Sequence, residues 1–163
     1  YKIKAKIIEQ KQQLGTGDAV KQVKEYINEN FLVLGGDNLW SAEDLRRMVI
    51  DDDLNYVAGY KVENPEQYGV LITDNNSLIE IKEKPKEYVG NLVNTGLYKF
   101  TPEIFKALEK IQLSLRGEYE LTDAITLLAK EGKVRVIEIK DYWLDLGSKE
   151  NIPEIEKFLK SIF

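Results

Sequence analysis

Phe31-Leu32-Val33-Leu34-Gly35-Gly36-Asp37-Asn38 is four apolar residues, two glycines, an acid and an amide. A short all-apolar run stopped by glycine reads as a strand buried on both faces, of the kind found at the centre of an α/β sheet. Patterns of strand and helix alternate on either side of it. Upstream, residues 2–8 largely alternate charged and apolar side chains, as a half-buried strand does. Gly15-Thr16-Gly17 then turns the chain, and Ala19, Val20, Val23 and Ile27 follow at helical spacing. Downstream, Ser41 with Asp44 three residues on predicts a capped helix reaching Ile50. Strands are expected over residues 55–62, in a hairpin of 70–73 and 78–82 around Asp74-Asn75-Asn76-Ser77, and over 92–100. Thr101-Pro102 opens a helix, and Thr122 caps another that closes near Gly132. Residues 134–139 form a strand whose alternation slips at Val136-Ile137, marking burial on both faces or a bulge. An amphipathic helix over 153–162 ends the series.

The composition narrows the chemistry. The 163 residues fit one domain, carry a net charge of −5, and contain no cysteine and no histidine. Disulfides, thiolate nucleophiles, zinc–thiolate sites and histidine bases are thereby excluded. The negative charge argues against nucleic acid as a main partner. No apolar run is long enough to cross a bilayer. What remains is chemistry done by carboxylates, lysine, backbone donors and hard metal ions. The absence of cysteine fits a cytoplasmic location, and the wealth of Lys, Glu and Ile fits a thermophilic source. Neither G-x-G-x-x-G nor G-x-x-x-x-G-K-[ST] occurs.

Several residues qualify as site candidates. Asp37 follows an apolar strand at the position where open α/β sheets bind ligands, and a carboxylate there suits Mg²⁺. It equally suits a turn. Asp145, in Trp143-Leu144-Asp145-Leu146-Gly147, joins it if the strand ending near Lys140 lies beside the Asp37 strand. Glu83 can accept from sugar hydroxyls and Lys84 can reach a phosphate, or the two are an ordinary solvated pair. Asn94-Thr95-Gly96 breaks an apolar strand with polar residues, which marks a bulge or a close ligand approach. Gln10 and Gly15-Thr16-Gly17 frame a turn at which a glutamine amide could read the imide edge of uracil or thymine. Asp51-Asp52-Asp53 reads as a solvated cluster at a helix end rather than a metal site.

In this order, Gln10 with Leu14-Gly15-Thr16-Gly17-Asp18-Ala19, the Phe31–Asn38 stretch, Tyr68-Gly69-Val70, Glu83-Lys84-Pro85, Asn94-Thr95-Gly96, Arg116 to Asp123 and Trp143 to Gly147 resemble the sugar-1-phosphate nucleotidylyltransferases. The likeness is to their glucose-1-phosphate thymidylyltransferase and uridylyltransferase members, and it runs from Lys2 to about Ile152. It implies a Rossmann-like three-layer α/β sandwich with a mixed, mostly parallel sheet, as one nucleotidyltransferase domain over residues 1–163. The implied reaction is nucleotidyl transfer from dTTP or UTP to glucose-1-phosphate or N-acetylglucosamine-1-phosphate, with release of pyrophosphate. The implied roles are Asp37 and Asp145 on Mg²⁺, Lys84 on the sugar phosphate, Gln10, Gly15 and Thr16 on the base, and Gly69, Glu83 and Asn94 on the sugar. Family members commonly assemble into homo-oligomers. They also open with a G-x-G-x-R-L loop around the triphosphate, to which nothing here corresponds, so the chain is expected to match the later two-thirds of the catalytic domain. A metal-dependent glycosyltransferase and a non-catalytic nucleotide- or sugar-binding chain are the competing expectations.

Overall fold

Two groups of apolar residues, one on each face of a sheet, organise the computed structural model, which describes residues 4–162. The strands are β1 (Phe31–Leu34), β2 (Asn38–Trp40), β3 (Asn55–Lys61), β4 (Gly69–Asp74), β5 (Ser77–Glu83), β6 (Leu92–Phe100), β7 (Val134–Glu138) and β8 (Trp143–Asp145). Helices are α1 (Thr16–Lys21), α2 (Ala42–Arg47), α3 (Glu103–Leu108), α4 (Leu121–Lys130) and α5 (Ile152–Ile162). Six strands make one sheet in the order β1-β6-β3-β7-β5-β4, with β4 also touching β6 through Val70 opposite Val93. A separate two-stranded sheet pairs β2 with β8.

Alternation along the central strands feeds both cores. Val57 of β3 with Tyr98 and Phe100 of β6 packs under α3 and α4, among Phe105, Ile125 and Leu128. Their neighbours Ala58 and Leu97 face the other way, toward Trp40, Met48 and Ile139. Val136 and Ile137 of β7 divide between the same two faces, so the slip read in the sequence is two-sided burial; β7 runs in unbroken register beside β3.

The sheet is mixed, as expected, but not mostly parallel. β3 with β7 is the parallel pair, while β1–β6, β3–β6, β4–β5 and β5–β7 are antiparallel. β1, expected at the centre of the sheet, lies at its edge beside β6 alone, and Leu34 is 45% exposed; an apolar run carries no information on a strand's place in the sheet or on its direction. Residues 4–8 form no strand, and Ile7 is 95% exposed: alternation without a neighbouring strand makes no ladder. Residues 2 and 3 lie outside the described residues. Ser41 caps α2 as anticipated, its hydroxyl accepting from Asp44 N–H at 3.0 Å, although the helix stops at Arg47. Thr122 lies within α4. The first N–H of that helix, Leu121's, donates instead to the Thr16 hydroxyl at 3.2 Å, 105 residues away.

The aspartate cluster is not simply solvated. Lys99, 2% exposed, donates from Nζ to the carbonyls of Asp52 and Leu54, both at 2.7 Å, and pairs with Asp52 Oδ1 at 3.0 Å. Tyr56 donates to the other Asp52 oxygen at 2.6 Å. Burial, then Asp52, pushes the Tyr56 phenol up to about 12. Lys99→Met removes the cation while leaving its acceptors buried. Urea unfolding is expected to show a loss of about 3 kcal/mol.

Candidate functional site

β1 ends at Leu34, and the glycines after it let the chain fold tightly against β6. Gly35 N–H donates to the Gly96 carbonyl at 2.9 Å. Gly96 itself sits at φ +74°, a conformation that favours glycine. It lies in a bulge: β3 advances two residues from Val57 to Gly59 while β6 falls back four, from Tyr98 to Asn94. The polar Asn94-Thr95-Gly96 thus interrupts the ladder as the sequence anticipated.

Asp37 projects from the turn between β1 and β2. Its Oδ1 accepts from Asn38 Nδ2 at 2.6 Å, and its carbonyl accepts from Leu146 N–H at 2.9 Å. Asn38 stands opposite Asp145 in the β2–β8 ladder, and Trp143 Nε1 donates to Asn38 Oδ1 at 2.6 Å. Asp145 Oδ1 accepts from Gly147 N–H at 2.9 Å. The two aspartates are therefore brought to neighbouring places, but by a different route from the one expected. The strand ending near Lys140 pairs with β3 and β5, and β8, a strand of three residues, meets the chain beside Asp37. Each carboxylate has one oxygen, Oδ2, without a hydrogen bond among the described residues.

The loop that delivers β8 is anchored by a residue the sequence offered only as a helix cap. Asp44, 3% exposed, accepts from Lys140 N–H at 3.1 Å and Asp141 N–H at 3.0 Å. It also pairs with Arg47 at 2.9 Å and accepts from the Ser41 hydroxyl at 3.1 Å. Burial pushes the Asp44 carboxyl up. The N–H groups of Asp141 and Lys140, then Ser41 and Arg47, outweigh that and hold it below its usual range.

Gly69, Glu83 and Asn94 converge. Gly69 is paired with Glu83 across the β4–β5 hairpin. A Cβ on Gly69 would lie 3.0 Å from Glu83 Oε2 and 3.9 Å from Asn94 Cβ. The Asn94 amide is fixed at both ends: its Nδ2 donates to the Tyr98 hydroxyl at 2.8 Å, and its Oδ1 accepts from Gly96 N–H at 3.2 Å. Tyr68, one residue before Gly69, meets the Trp143 ring edge-on at 5.4 Å, which ties this group to Asp145. Burial and then the Asp145 charge push the Tyr68 phenol up. A cavity of about 320 Å³ opens on the Tyr68–Trp143 side, lined by Tyr60, Tyr68, Trp143, Asp145 and Phe158 among others, while Gly69, Glu83 and Asn94 lie outside its lining. Lys84 follows Glu83 at φ +40°, and its N–H donates to the Tyr68 carbonyl at 3.0 Å; its ammonium makes no ion pair among the described residues.

Gln10, Gly15 and Thr16 form a second group against the 114–121 segment. Gly17 N–H donates to the Tyr119 carbonyl at 2.8 Å, and Tyr119 N–H to that of Leu14 at 2.7 Å. Gly15 has φ +95°, and a Cβ on it would lie 2.8 Å from the Tyr119 carbonyl oxygen, so no other residue fits unstrained. The Thr16 hydroxyl serves α4, as described above. The link to the first group is Arg116, which bonds Glu120 at 2.8 Å and feels the charge of Glu83. Among the described residues, no hydrogen bond or ion pair joins Gln10, Gly15 or Thr16 to Asp37 or Asp145. The aromatic wall of Tyr68 and Trp143, the Tyr98 hydroxyl and the Asp44 anchor escaped the sequence reading. Tyr68 and Trp143 lay inside quoted motifs, and their aromaticity was the available signal. No helix among the described residues is long and apolar enough to cross a membrane.

Known proteins share both sequence and architecture with this chain. The profile of the nucleotidyl transferase family matches residues 1–162. The bifunctional protein GlmU of Methanocaldococcus jannaschii is 42% identical over 164 residues, covering 96% of this chain and 38% of that protein. The UTP–glucose-1-phosphate uridylyltransferase AglF of Haloferax volcanii is 38% identical, covering 93% and 65%. A crystal structure of UDP-glucose pyrophosphorylase complexed with UDP-glucose superposes with a TM-score of 0.81 at 26% identity, covering 94% of this chain and 65% of the other. A glucose-1-phosphate thymidylyltransferase structure from Bacillus anthracis gives 0.75, also at 26% identity, covering 91% of this chain and 62% of that one. The chain spans 38% of the GlmU protein and about two thirds of the uridylyltransferase. With its family profile matched along almost its whole length, the chain belongs to the nucleotidyl transferase family.

Proposed function

We propose that this chain takes part in nucleotidyl transfer from UTP or dTTP to a sugar-1-phosphate, glucose-1-phosphate or N-acetylglucosamine-1-phosphate, releasing pyrophosphate. The convergence of Gly69, Glu83 and Asn94 beside Trp143 and Asp145 carries the reading. It sets acceptors and an amide next to Tyr68, which with Trp143 and Asp145 lines the cavity, and a sugar ring asks for polar partners and an aromatic face together. The uridylyltransferase relative and the structure holding UDP-glucose support it. Cores on both faces of the sheet support a Rossmann-like three-layer sandwich.

In this reading Glu83 and Asn94 take the sugar hydroxyls, and Gly69 lets the ring come close to the backbone. Lys84 meets the sugar phosphate as a point charge. The attacking phosphate oxygen is already anionic, so no base is required, in agreement with a chain without histidine. Positioning and charge compensation supply the rate. Asp37 and Asp145 suit a hard divalent ion, since each offers a carboxylate oxygen and Mg²⁺ takes one or two carboxylates alongside phosphate and water. Bound there, Mg²⁺ supplies charge neutralisation at the phosphates. Gln10, Gly15 and Thr16 take the base, the Thr16 hydroxyl accepting from Leu121 N–H and keeping its own proton to donate.

The test is pyrophosphate release by the native protein with Mg²⁺, offering UTP and dTTP with each sugar-1-phosphate. Turnover that depends on both substrates is expected. Transfer of sugar from a nucleotide sugar to an acceptor, without pyrophosphate, would overturn the reading in favour of a glycosyltransferase. Binding of both substrates without turnover would do so in favour of a non-catalytic chain.

A further inference from the structure

The side chain of Gln10 makes two hydrogen bonds, and both leave from its nitrogen. Nε2 donates to the Gly15 carbonyl at 3.2 Å and to Asp18 Oδ2 at 2.7 Å. Both partners are pure acceptors, so the amide can sit only one way round. Its two N–H groups are consumed, and Oε1 has no hydrogen bond among the described residues. Asp18 is held in its own place, on the first turn of α1: its other oxygen accepts from Gln22 Nε2 at 3.2 Å. A glutamine on its own is ambiguous, since rotation of the amide by half a turn exchanges a donor for an acceptor. Here the carboxylate eight residues along removes that ambiguity.

We propose that Asp18 is a specificity-determining residue that locks Gln10 as an acceptor and thereby selects a pyrimidine with a protonated ring nitrogen. The proposal rests on the reading of Gln10 as a base contact. Uracil and thymine carry N3–H and satisfy Oε1. Cytosine presents a bare N3, which would set two acceptors face to face and leave both without a partner. Asp18 does not touch the base; it acts through Gln10.

The experiment compares kcat/KM for UTP and CTP in the native protein and in Asp18→Asn, which keeps the volume but can accept from or donate to the Gln10 amide. Asp18→Ser is the second variant, and whichever keeps the parent melting temperature is assayed. The UTP-to-CTP ratio is expected to fall at least about tenfold, chiefly through a gain on CTP. In a Gln10→Ala background the same Asp18 substitution is expected to leave the ratio unmoved. An equal loss on both nucleotides, an unchanged ratio, or a shift that persists without Gln10 would overturn the role of Asp18 while leaving UTP turnover by the parent intact. Failure of the parent to turn over any pyrimidine triphosphate would overturn the underlying base-contact reading instead.

Discussion

Asp145→Ala and Asp37→Ala are each expected to lower kcat for pyrophosphate release by about 10³-fold, with KM for the sugar-1-phosphate moving less than about threefold. Neither carboxylate belongs to the group proposed to hold the ring, Gly69, Glu83 and Asn94, which converge elsewhere. Each keeps one oxygen tied to a neighbour, Asn38 or the Gly147 N–H, and one oxygen unspent. A side chain oriented by one oxygen while the other is free is prepared to meet positive charge, and that charge matters most where pyrophosphate departs. Loss of either therefore falls on the transition state rather than on binding. Asp74→Ala, at the exposed end of β4, is the control and leaves both constants unchanged. Near-normal kcat in either site variant would remove the pair from the mechanism.

Asp44→Ala is expected to cost about 3–5 kcal/mol in urea unfolding. The carboxylate is almost fully enclosed and serves two backbone N–H groups, a hydroxyl and a guanidinium. Truncation leaves those buried or part-buried donors without their shared acceptor and opens a gap in an enclosed site. Asp44→Asn does not rescue, because one of its two polar atoms is a donor facing donors. The folded carboxyl lies below its usual value, so its contribution is fully present above the ordinary aspartate range of about 4. It is lost as pH falls through the lowered folded value. A pH series of unfolding energies is expected to be flatter in the variant over that acid window. Equal acid sensitivity in parent and variant would show that another carboxylate is responsible. Because Asp44 holds the 140–141 loop, the variant should also lose turnover in proportion to the displacement of β8.

Most elements were legible because their signals are local. The β6 boundaries, the Ser41 cap and the β4–β5 hairpin follow from a few adjacent residues; Asn75 and Asn76 adopt the positive φ that their turn demands. What escaped depends on partners far along the chain. β2 and β8 are three residues each, too short for any periodicity, and exist because they meet each other. Strand direction in the sheet is likewise a property of pairs. Among site residues, Asn94 announced itself by polarity within an apolar strand, Glu83 stood at a strand end where a solvated pair was equally readable, and Gly69 was marked only by the family resemblance. Thr16 illustrates the opposite case: its hydroxyl is committed to Leu121, so its place in a shared motif coincides with a structural task. Asp44 looked like an ordinary cap because nothing near it in the sequence reveals Lys140 and Asp141.

The bulge in β6 has a consequence in simple parity. Its excess over β3 is two residues, an even number, so even-numbered side chains stay on one face from end to end. Leu92, Tyr98 and Phe100 all reach the same core, and Leu97 the other. One extra residue would have sent everything beyond it to the wrong face. Spliced in as a pair, the extra residues place the polar Asn94 and Thr95 in the middle of a buried strand without a single core residue changing sides. Natural or engineered changes of length at this point should therefore survive in twos and fail in ones.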